Sequence, residues 1–283
     1  MIQHLVILAA TLLAGGPASL FQEPAGEQEA PYIERTQKQF VFFPGGRVEL
    51  TLGVAGNVRI VGWQRPAVVV EMEKIVYGMP QEKAKALLSE FPIRVKWTQS
   101  AATVLAPAAV PKNPSPKLVT PAIEINITMY VPKQRTDLKL LIVKGDLAVE
   151  DLAGWTEATL REGSMEMRGI SGYFSGLTDA GDIEADMLGK RWDGYGFTAV
   201  TQRGKVLVRL PEEYSAALQL ETRDGALSVV YPEQLVDGES VPLTAVTNKN
   251  ARSLSATVGS GGAPIKLVTM KGEARLESKP SQQ

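Results

Sequence analysis

The chain has 283 residues and a formal net charge of −1, with 30 Lys and Arg interleaved among 31 Asp and Glu. This balance gives no basic patch for nucleic acid and no attraction to an anionic membrane surface. The sequence has no cysteine and a single histidine, His4, so thiol nucleophiles, Ser-His-Asp catalysis and the His/Cys ligand sets of zinc lack their residues. The composition predicts a protein that is not an enzyme and that has no metal or other cofactor.

The N-terminus carries the pattern of a secretory signal. Leu5–Leu13 is an apolar run too short to span a bilayer, and small residues follow it up to Ala18. This predicts a signal peptide over residues 1–18, although no Lys or Arg precedes the run; a buried segment of the mature fold is the alternative. Residues 19–38 are aperiodic and rich in Glu, Gln, Pro and Ala, which predicts a flexible linker. We expect export to the periplasm, the cell surface or the extracellular space, with no membrane span after signal removal.

Alternating apolar residues predict strands over most of the remaining chain. Phe40–Leu52 alternates on both sides of the turn Pro44–Gly46, which is typical of a β-hairpin. Met79–Glu90 has the pattern of a helix, with Pro80 at its start and a one-sided apolar face. We expect this helix to cap an open end of stacked strands or, alternatively, to bind a partner. Residues 101–121 contain five prolines and predict a surface loop or a long hairpin tip.

Glycines recur at intervals of nine residues in the centre of the chain: Gly145, Gly154, Gly163, Gly172 and Gly181. Every second one opens a Gly-x-apolar-x-apolar phrase, which recurs at Gly56, Gly204, Gly225 and Gly272. Such a period is typical of stacked β coils that bury their faces against each other. Two strands and two turns per eighteen residues predict an all-β, single-stranded, right-handed parallel β-helix over residues 39–278, followed by a disordered tail at 279–283.

Two further features of the repeat bear on its chemistry. A threonine precedes the glycine by three residues in several phrases, and these hydroxyl groups are expected to form a hydrogen-bonded ladder: Thr178, Thr201, Thr222 and Thr269. Nine-residue glycine repeats also occur in calcium-binding β-rolls, which need an Asp in every repeat. Here Asp146 and Asp182 come once per eighteen residues with Ser164 between them, so the pattern does not favour calcium.

The segment Phe40–Glu71 (FVFFPGGRVELTLGVAGNVRIVGWQRPAVVVE) and the later glycine phrases resemble the bacterial putative-adhesin family, domain of unknown function 4097. The resemblance covers residues 38–232, extends to residue 278, and implies an exported envelope protein of β-solenoid type. The family offers no catalytic residues to transfer. The chain departs from the family pattern at residues 101–121 and in the longer gap between Gly181 and Gly204.

Aromatic and basic residues at the turns are the candidate binding site. Trp155 and Tyr173 each follow a repeat glycine, and the turn 190–196 interrupts the repeat while carrying charge and aromatic rings. Loops on a rigid scaffold often carry binding residues. The predicted ligand-contacting residues are Trp155, Tyr173, Lys190, Arg191, Trp192 and Tyr195. The alternative is that these rings shield the flank of the core.

The function favoured by these features is that of a non-catalytic binding module, an adhesin for a protein or glycan of the cell envelope. A structural spacer in the envelope is the second interpretation. A carbohydrate-active β-helix enzyme is the third, because such enzymes use paired carboxylates. The candidate pairs are Glu150 with Asp151, Asp179 with Asp182, and Glu184 with Asp186. Neither spacing nor an apolar setting distinguishes any pair, and analogy of fold is weak support for an activity.

Overall fold

Strands form nearly all of the structure. The structure is a computed structural model, and it describes residues 30–106, 123–236, 239–243, 246–248 and 251–280. The N-terminal part contains β1 (Tyr32–Val41), β2 (Arg47–Ala55), β3 (Val58–Trp63), β4 (Ala67–Val76), α1 (Gln81–Ser89), β5 (Arg94–Trp97), β6 (Ala101–Ala106) and β7 (Ile123–Pro132). The centre contains β8 (Asp137–Lys144), β9 (Leu147–Glu150), β10 (Ala153–Glu162), β11 (Met165–Arg168), β12 (Ser171–Ala180), β13 (Ile183–Asp186), β14 (Gly194–Arg203) and β15 (Val206–Pro211). The C-terminal part contains β16 (Ala216–Asp224), β17 (Leu227–Val230), β18 (Gln234–Val236), β19 (Glu239–Val241), β20 (Val246–Asn248), β21 (Ala251–Val258), β22 (Pro264–Lys271) and β23 (Ala274–Lys279). The prediction of an all-β fold with one short helix is confirmed for the described residues.

Two ladders of parallel strands run side by side through the protein. The long-strand ladder joins β6, β2, β8, β10, β12, β14, β22 and β16 in that order. The short-strand ladder joins β7, β3, β9, β11, β13, β15, β23 and β17. We call a strand of the long-strand ladder together with the strand of the short-strand ladder that follows it in the chain a coil. In the centre of the chain, residues that pair in successive coils are 18 positions apart in the sequence. The backbone N–H of Trp155, for example, donates a hydrogen bond to Asp137 Oδ1 of the preceding coil.

The sheet is mixed rather than wholly parallel. Antiparallel pairs join β1 to β4, β4 to β7, β5 to β6, and β21 to both β16 and β20. The prediction of a single-stranded parallel β-helix over residues 39–278 is therefore not confirmed for the whole segment. The physical reason is that a stack of parallel coils leaves open edges at its ends, and reversing strands pair with those edges here.

The predicted hairpin at Phe40–Leu52 is wrong. Phe40 lies in β1 opposite Val68 of β4, whereas Val48 lies in β2, which pairs with β6 and β8. Alternation of apolar residues shows that both segments are strands with one buried face. It carries no information about which strand lies alongside.

Two predicted boundaries are also displaced. The predicted linker at 19–38 overlaps β1, because the polar residues after Tyr32 pair with β4 as an edge strand. The predicted tail at 279–283 overlaps β23, whose last residue, Lys279, donates a hydrogen bond from Nζ to Asp186 Oδ1 at 3.4 Å. The first residues of the predicted loop form strand β6 (Ala101–Ala106) instead. The predicted signal at 1–18 and residues 107–121 of the predicted loop lie outside the described residues.

The last coil of the chain is inserted between two earlier coils. β22 lies between β14 and β16, and β23 lies between β15 and β17. The chain leaves the stack after β17, forms β18 to β21, and returns to fill the gap. The repeat glycines at this end therefore follow one another in space in the order Gly204, Gly272, Gly225.

Side chains at the bend between the ladders form a column of hydrogen bonds. Each member accepts a backbone N–H of the adjacent coil at 2.7–3.2 Å, and the acceptors are Asn126, Asn57, Asp146, Ser164 and Asp182. One carboxylate oxygen of each Asp is thus used to join coils. The predicted threonine ladder has a different form, because each hydroxyl donates to a glycine carbonyl of a neighbouring coil at 2.8–3.0 Å; the donors are Thr178, Thr201, Thr222 and Thr269.

Helix α1 packs at the ends of two antiparallel strands. It buries Ala84 and Leu88 against Val76, the last residue of β4, and Tyr32 at the start of β1 packs on the same cluster. The helix therefore covers one end of the antiparallel pair β1–β4. We expected it to cap a coil of parallel strands instead.

Candidate functional site

Trp155 and Tyr173 are brought together by the pairing of β10 with β12. Each follows a glycine at the start of a long strand, and the glycines Gly154 and Gly172 are partners in the ladder. The two rings are therefore direct neighbours, with centroids 3.9 Å apart and planes inclined by 26°. The register of the sheet makes one aromatic unit from two residues that belong to successive coils.

Tyr195 joins this pair through a β-bulge. Gly194 lies opposite Gly172, and the register then shifts so that Tyr195 has no partner in the ladder. Such a bulge redirects a side chain. The phenol ring is 81% exposed, and its centroid lies 6.5 Å from that of Trp155. We call Trp155, Tyr173 and Tyr195 the aromatic cluster.

Two carboxylates hold Trp155 in place. The indole Nε1 donates to Glu157 Oε1 at 3.0 Å, and the backbone N–H donates to Asp137 Oδ1 at 3.1 Å. The side chain is still 42% exposed. Tyr173 covers one face of the indole. The exposed part of the indole and the ring of Tyr195 are left for a ligand to contact. Neither carboxylate is among the residues predicted from the sequence, although Glu157 follows Trp155 by two residues, which places both side chains on one face of a strand.

The structure places Trp192 in the core, which corrects its prediction as a ligand-contacting residue. Only 5% of this residue is exposed, its Nε1 donates to the carbonyl oxygen of Gly172 at 3.0 Å, and its ring meets Phe197 edge-on at 5.7 Å. The irregular turn before β14 folds this indole inward, where its N–H finds a backbone acceptor and its ring packs on the core. The contacts of Trp192 therefore fit the alternative interpretation, in which the ring shields the core.

Lys190 and Arg191 make contacts away from the aromatic cluster. Lys190 Nζ lies 3.8 Å from Glu213 Oε2, and both side chains are highly exposed. Arg191 forms an isolated parallel bridge with Ser215, the residue directly before β16. Exposed pairs of this kind contribute little to stability. The structure therefore brings together three of the six predicted residues.

Four of the six candidate catalytic carboxylates lie in ion pairs: Glu150, Asp151, Glu184 and Asp186. Glu150 binds Arg59 through two hydrogen bonds of 2.9 and 3.0 Å, and Arg209 Nη1 lies 3.0 Å from Glu184 and 4.0 Å from Asp186. Partial burial lowers the pKa of Arg209, but the hydrogen bond that Arg209 donates to Glu184 and the charges of the nearby carboxylates outweigh burial and raise this pKa overall. Among the described residues, no group of three or more His, Cys, Asp or Glu side chains is arranged to hold a metal ion.

No family model matches the chain, so the resemblance to the adhesin family of unknown function stays a prediction. No curated protein matches it either. Bacterial solved structures do match. They include a putative cell adhesion protein from Clostridium sporogenes with 14% identity over 87% of this chain and 100% of its own (TM-score 0.41), and a putative adhesin from Bacteroides fragilis with 12% identity over 87% and 97% (TM-score 0.30). A putative lipid binding protein from Parabacteroides distasonis matches with 10% identity over 86% and 96% (TM-score 0.25). At this level of similarity the neighbours say nothing about what this chain binds. In the described part of the chain, no helix has the length and apolarity to cross a membrane.

Proposed function

We propose that the protein is an exported, non-catalytic binding module whose aromatic cluster docks a glycan of the cell envelope. The observation that carries this proposal is the gathering of Trp155, Tyr173 and Tyr195, from three successive coils, on one exposed surface. Large aromatic side chains bury much area on binding and lose few rotamers. Exposed rings on a rigid scaffold are therefore suited to contact a ligand.

The polar groups beside the cluster favour a glycan. A sugar ring presents C–H groups on its faces and hydroxyl groups around its edge. The indole and phenol rings fit the faces, and the carboxylates of Glu157 and Asp137 retain lone pairs that can accept hydroxyl hydrogen bonds. A protein ligand would use the same rings as anchors, so it is the alternative outcome of the test.

Calorimetric titration of the purified protein with fractionated envelope polysaccharide tests this proposal. Trp155→Ala and Tyr195→Ala are each expected to weaken binding about tenfold or more, as anchor residues do. Trp97→Ala is the matched control, because Trp97 is 48% exposed and stacks on Phe40 with centroids 5.0 Å apart. No saturable heat with any fraction, or equal losses in all three variants, would rule out a glycan at this cluster.

Export is a separate part of the proposal. Cleavage after Ala18 would leave a protein that begins at Ser19. Intact-mass measurement of the protein recovered from the culture medium and the periplasm checks this. Recovery of a chain that still begins at Met1 from the cytosol alone would contradict it.

The finer description of the fold is also proposed, namely that the parallel ladders are coils of a right-handed β-solenoid. The parallel pairing of successive coils supports a solenoid, and parallel crossover connections are nearly always right-handed. A crystal structure in which the coils turn the other way would contradict the handedness.

A further inference from the structure

Strand β1 presents a long free edge. It pairs with β4 along Tyr32–Val41, and no second partner strand is found for it among the described residues. Residues 35–39 are all exposed, so neither face of this stretch is covered. The unpaired N–H and C=O groups of such an edge form a template for another strand. Within the described part of the chain, this edge is therefore open to a second chain.

A second copy of this chain can use the edge only in a restricted set of registers. In an antiparallel pair, residues directly opposite each other either both exchange hydrogen bonds or both do not. Along one edge these two kinds of residue alternate. A two-fold axis that pairs β1 with itself must therefore pass through a residue rather than between two residues. The registers that overlap most of the strand have the axis at Arg35, Thr36, Gln37 or Lys38.

Charge distinguishes these registers. With the axis at Thr36, Glu34 lies opposite the partner's Lys38, and the symmetry repeats this pair. With the axis at Arg35, two arginines face each other, and with the axis at Lys38, two lysines do. With the axis at Gln37, Lys38 lies opposite the partner's Thr36 without a countercharge. Opposite charges placed across neighbouring strands are stabilising, and like charges are destabilising. The Thr36 register alone gives two attractive pairs.

We propose that two copies of the protein associate edge to edge through antiparallel pairing of β1, with the two-fold axis at Thr36. The two side chains that would form the charge pairs are already oriented, because Glu34 Oε1 accepts from Lys74 Nζ at 3.0 Å and Lys38 Nζ lies 5.7 Å from the ring centroid of Trp97. One strand edge is a small interface, so the dimer is weak and depends on concentration.

Cysteine cross-linking reads out this register directly, because the chain has no cysteine of its own. Residues opposite each other across the axis have Cα atoms about 4.5–5.5 Å apart, within the span of a disulfide. Thr36→Cys should give a disulfide-linked dimer on mild oxidation. Gln37→Cys is the matched control, since in this register it faces the partner's Arg35 and its own copy lies beyond the reach of a disulfide. Stronger cross-linking of Gln37→Cys, or equal cross-linking of both, would overturn the register.

Two further measurements separate pairing from accidental collision. In the Thr36→Cys background, Lys38→Glu should lower the yield of dimer severalfold because it faces the partner's Glu34, whereas Lys139→Glu, an exposed reversal on another strand, should leave the yield unchanged. Sedimentation of the unmodified protein should show a monomer–dimer equilibrium that weakens in high salt. A protein that stays monomeric at every concentration and gives no Thr36→Cys dimer would overturn the proposal.

Discussion

Gly163 shows how a single residue limits the packing of the coils. Its φ is +142°, and a Cβ atom there would lie 1.9 Å from the carbonyl oxygen of Gly145. Gly163→Ala should therefore lower the free energy of unfolding by about 3 kcal/mol or more, combining backbone strain with a clash against backbone that cannot move aside. Urea unfolding measures this loss.

The matched control for Gly163 is Gly189, whose φ of +74° is also left-handed but whose missing Cβ has no atom within 4 Å. Gly189→Ala should cost about 1 kcal/mol from strain alone. Equal losses in the free energy of unfolding at the two sites would mean that the close approach of Gly163 to Gly145 adds nothing to the cost of the substitution.

Tyr214 links the stability of the fold to alkaline pH. The residue is 1% exposed, and burial raises the pKa of its hydroxyl group above the ordinary value of 10.0. The folded protein keeps this proton where the unfolded chain loses it, so the stabilising contribution is complete below pH 10 and declines as the pH rises above it. The slope reaches about 1.4 kcal/mol per pH unit for one group.

Urea unfolding between about pH 8 and 11 tests this contribution of Tyr214. Tyr214→Phe should flatten the alkaline decline, whereas Tyr195→Phe, which removes the hydroxyl group of an 81% exposed ring, should not. An unchanged slope in Tyr214→Phe would contradict the assignment.

The two tryptophans of the predicted site show what sequence can predict at this scale. Trp155 follows a glycine in a strict repeat, so its position at a bend and its ring neighbour Tyr173 follow from the period. Trp192 lies in the turn that breaks the repeat. Its burial depends on contacts with Phe197 and Gly172 that only the folded chain creates, so no local pattern indicates it.

At the scale of elements, the inserted coil has a measurable consequence. β22 lies near the C-terminus yet has a partner strand on both sides, whereas β17 pairs with β23 alone among the described residues. Hydrogen exchange should therefore find the amides of β22 as protected as those of β12, which also has partners on both sides, and more protected than those of β17. Exchange of β22 at the rate of β17 would contradict the insertion.

The order of the coils could not be predicted from the sequence. The phrases at Gly204, Gly225 and Gly272 share one pattern, and any of them fits any position in a stack of equivalent coils. Helix α1 was predicted to within two residues at its start and one at its end, because a proline start and a 3.6-residue period are local signals. Strand partners are not local, and for that reason the hairpin at Phe40–Leu52 failed while its strands were found.

At the scale of the whole molecule, the β1 dimer and the aromatic cluster together predict avidity. Two clusters on one particle can engage one polymer, and the second contact then forms at a high effective concentration. The disulfide-linked Thr36→Cys dimer should bind long envelope polysaccharide about a hundredfold more tightly than the same protein after reduction. A short oligosaccharide that reaches only one cluster should bind both forms equally.

The comparison depends on both proposals, and its controls keep them apart. In the linked dimer, Trp155→Ala should abolish the gain for the long polymer by removing the contact that is repeated. Phe43→Ala, which removes a 48% exposed aromatic ring outside β1, should preserve the gain. Equal affinities for the long polymer before and after reduction, with Trp155→Ala still weakening both, would leave the glycan site in place and show that the dimer does not allow both clusters to engage one chain. A gain that survives Trp155→Ala would instead place the polymer on another surface, and would contradict the role assigned to the aromatic cluster.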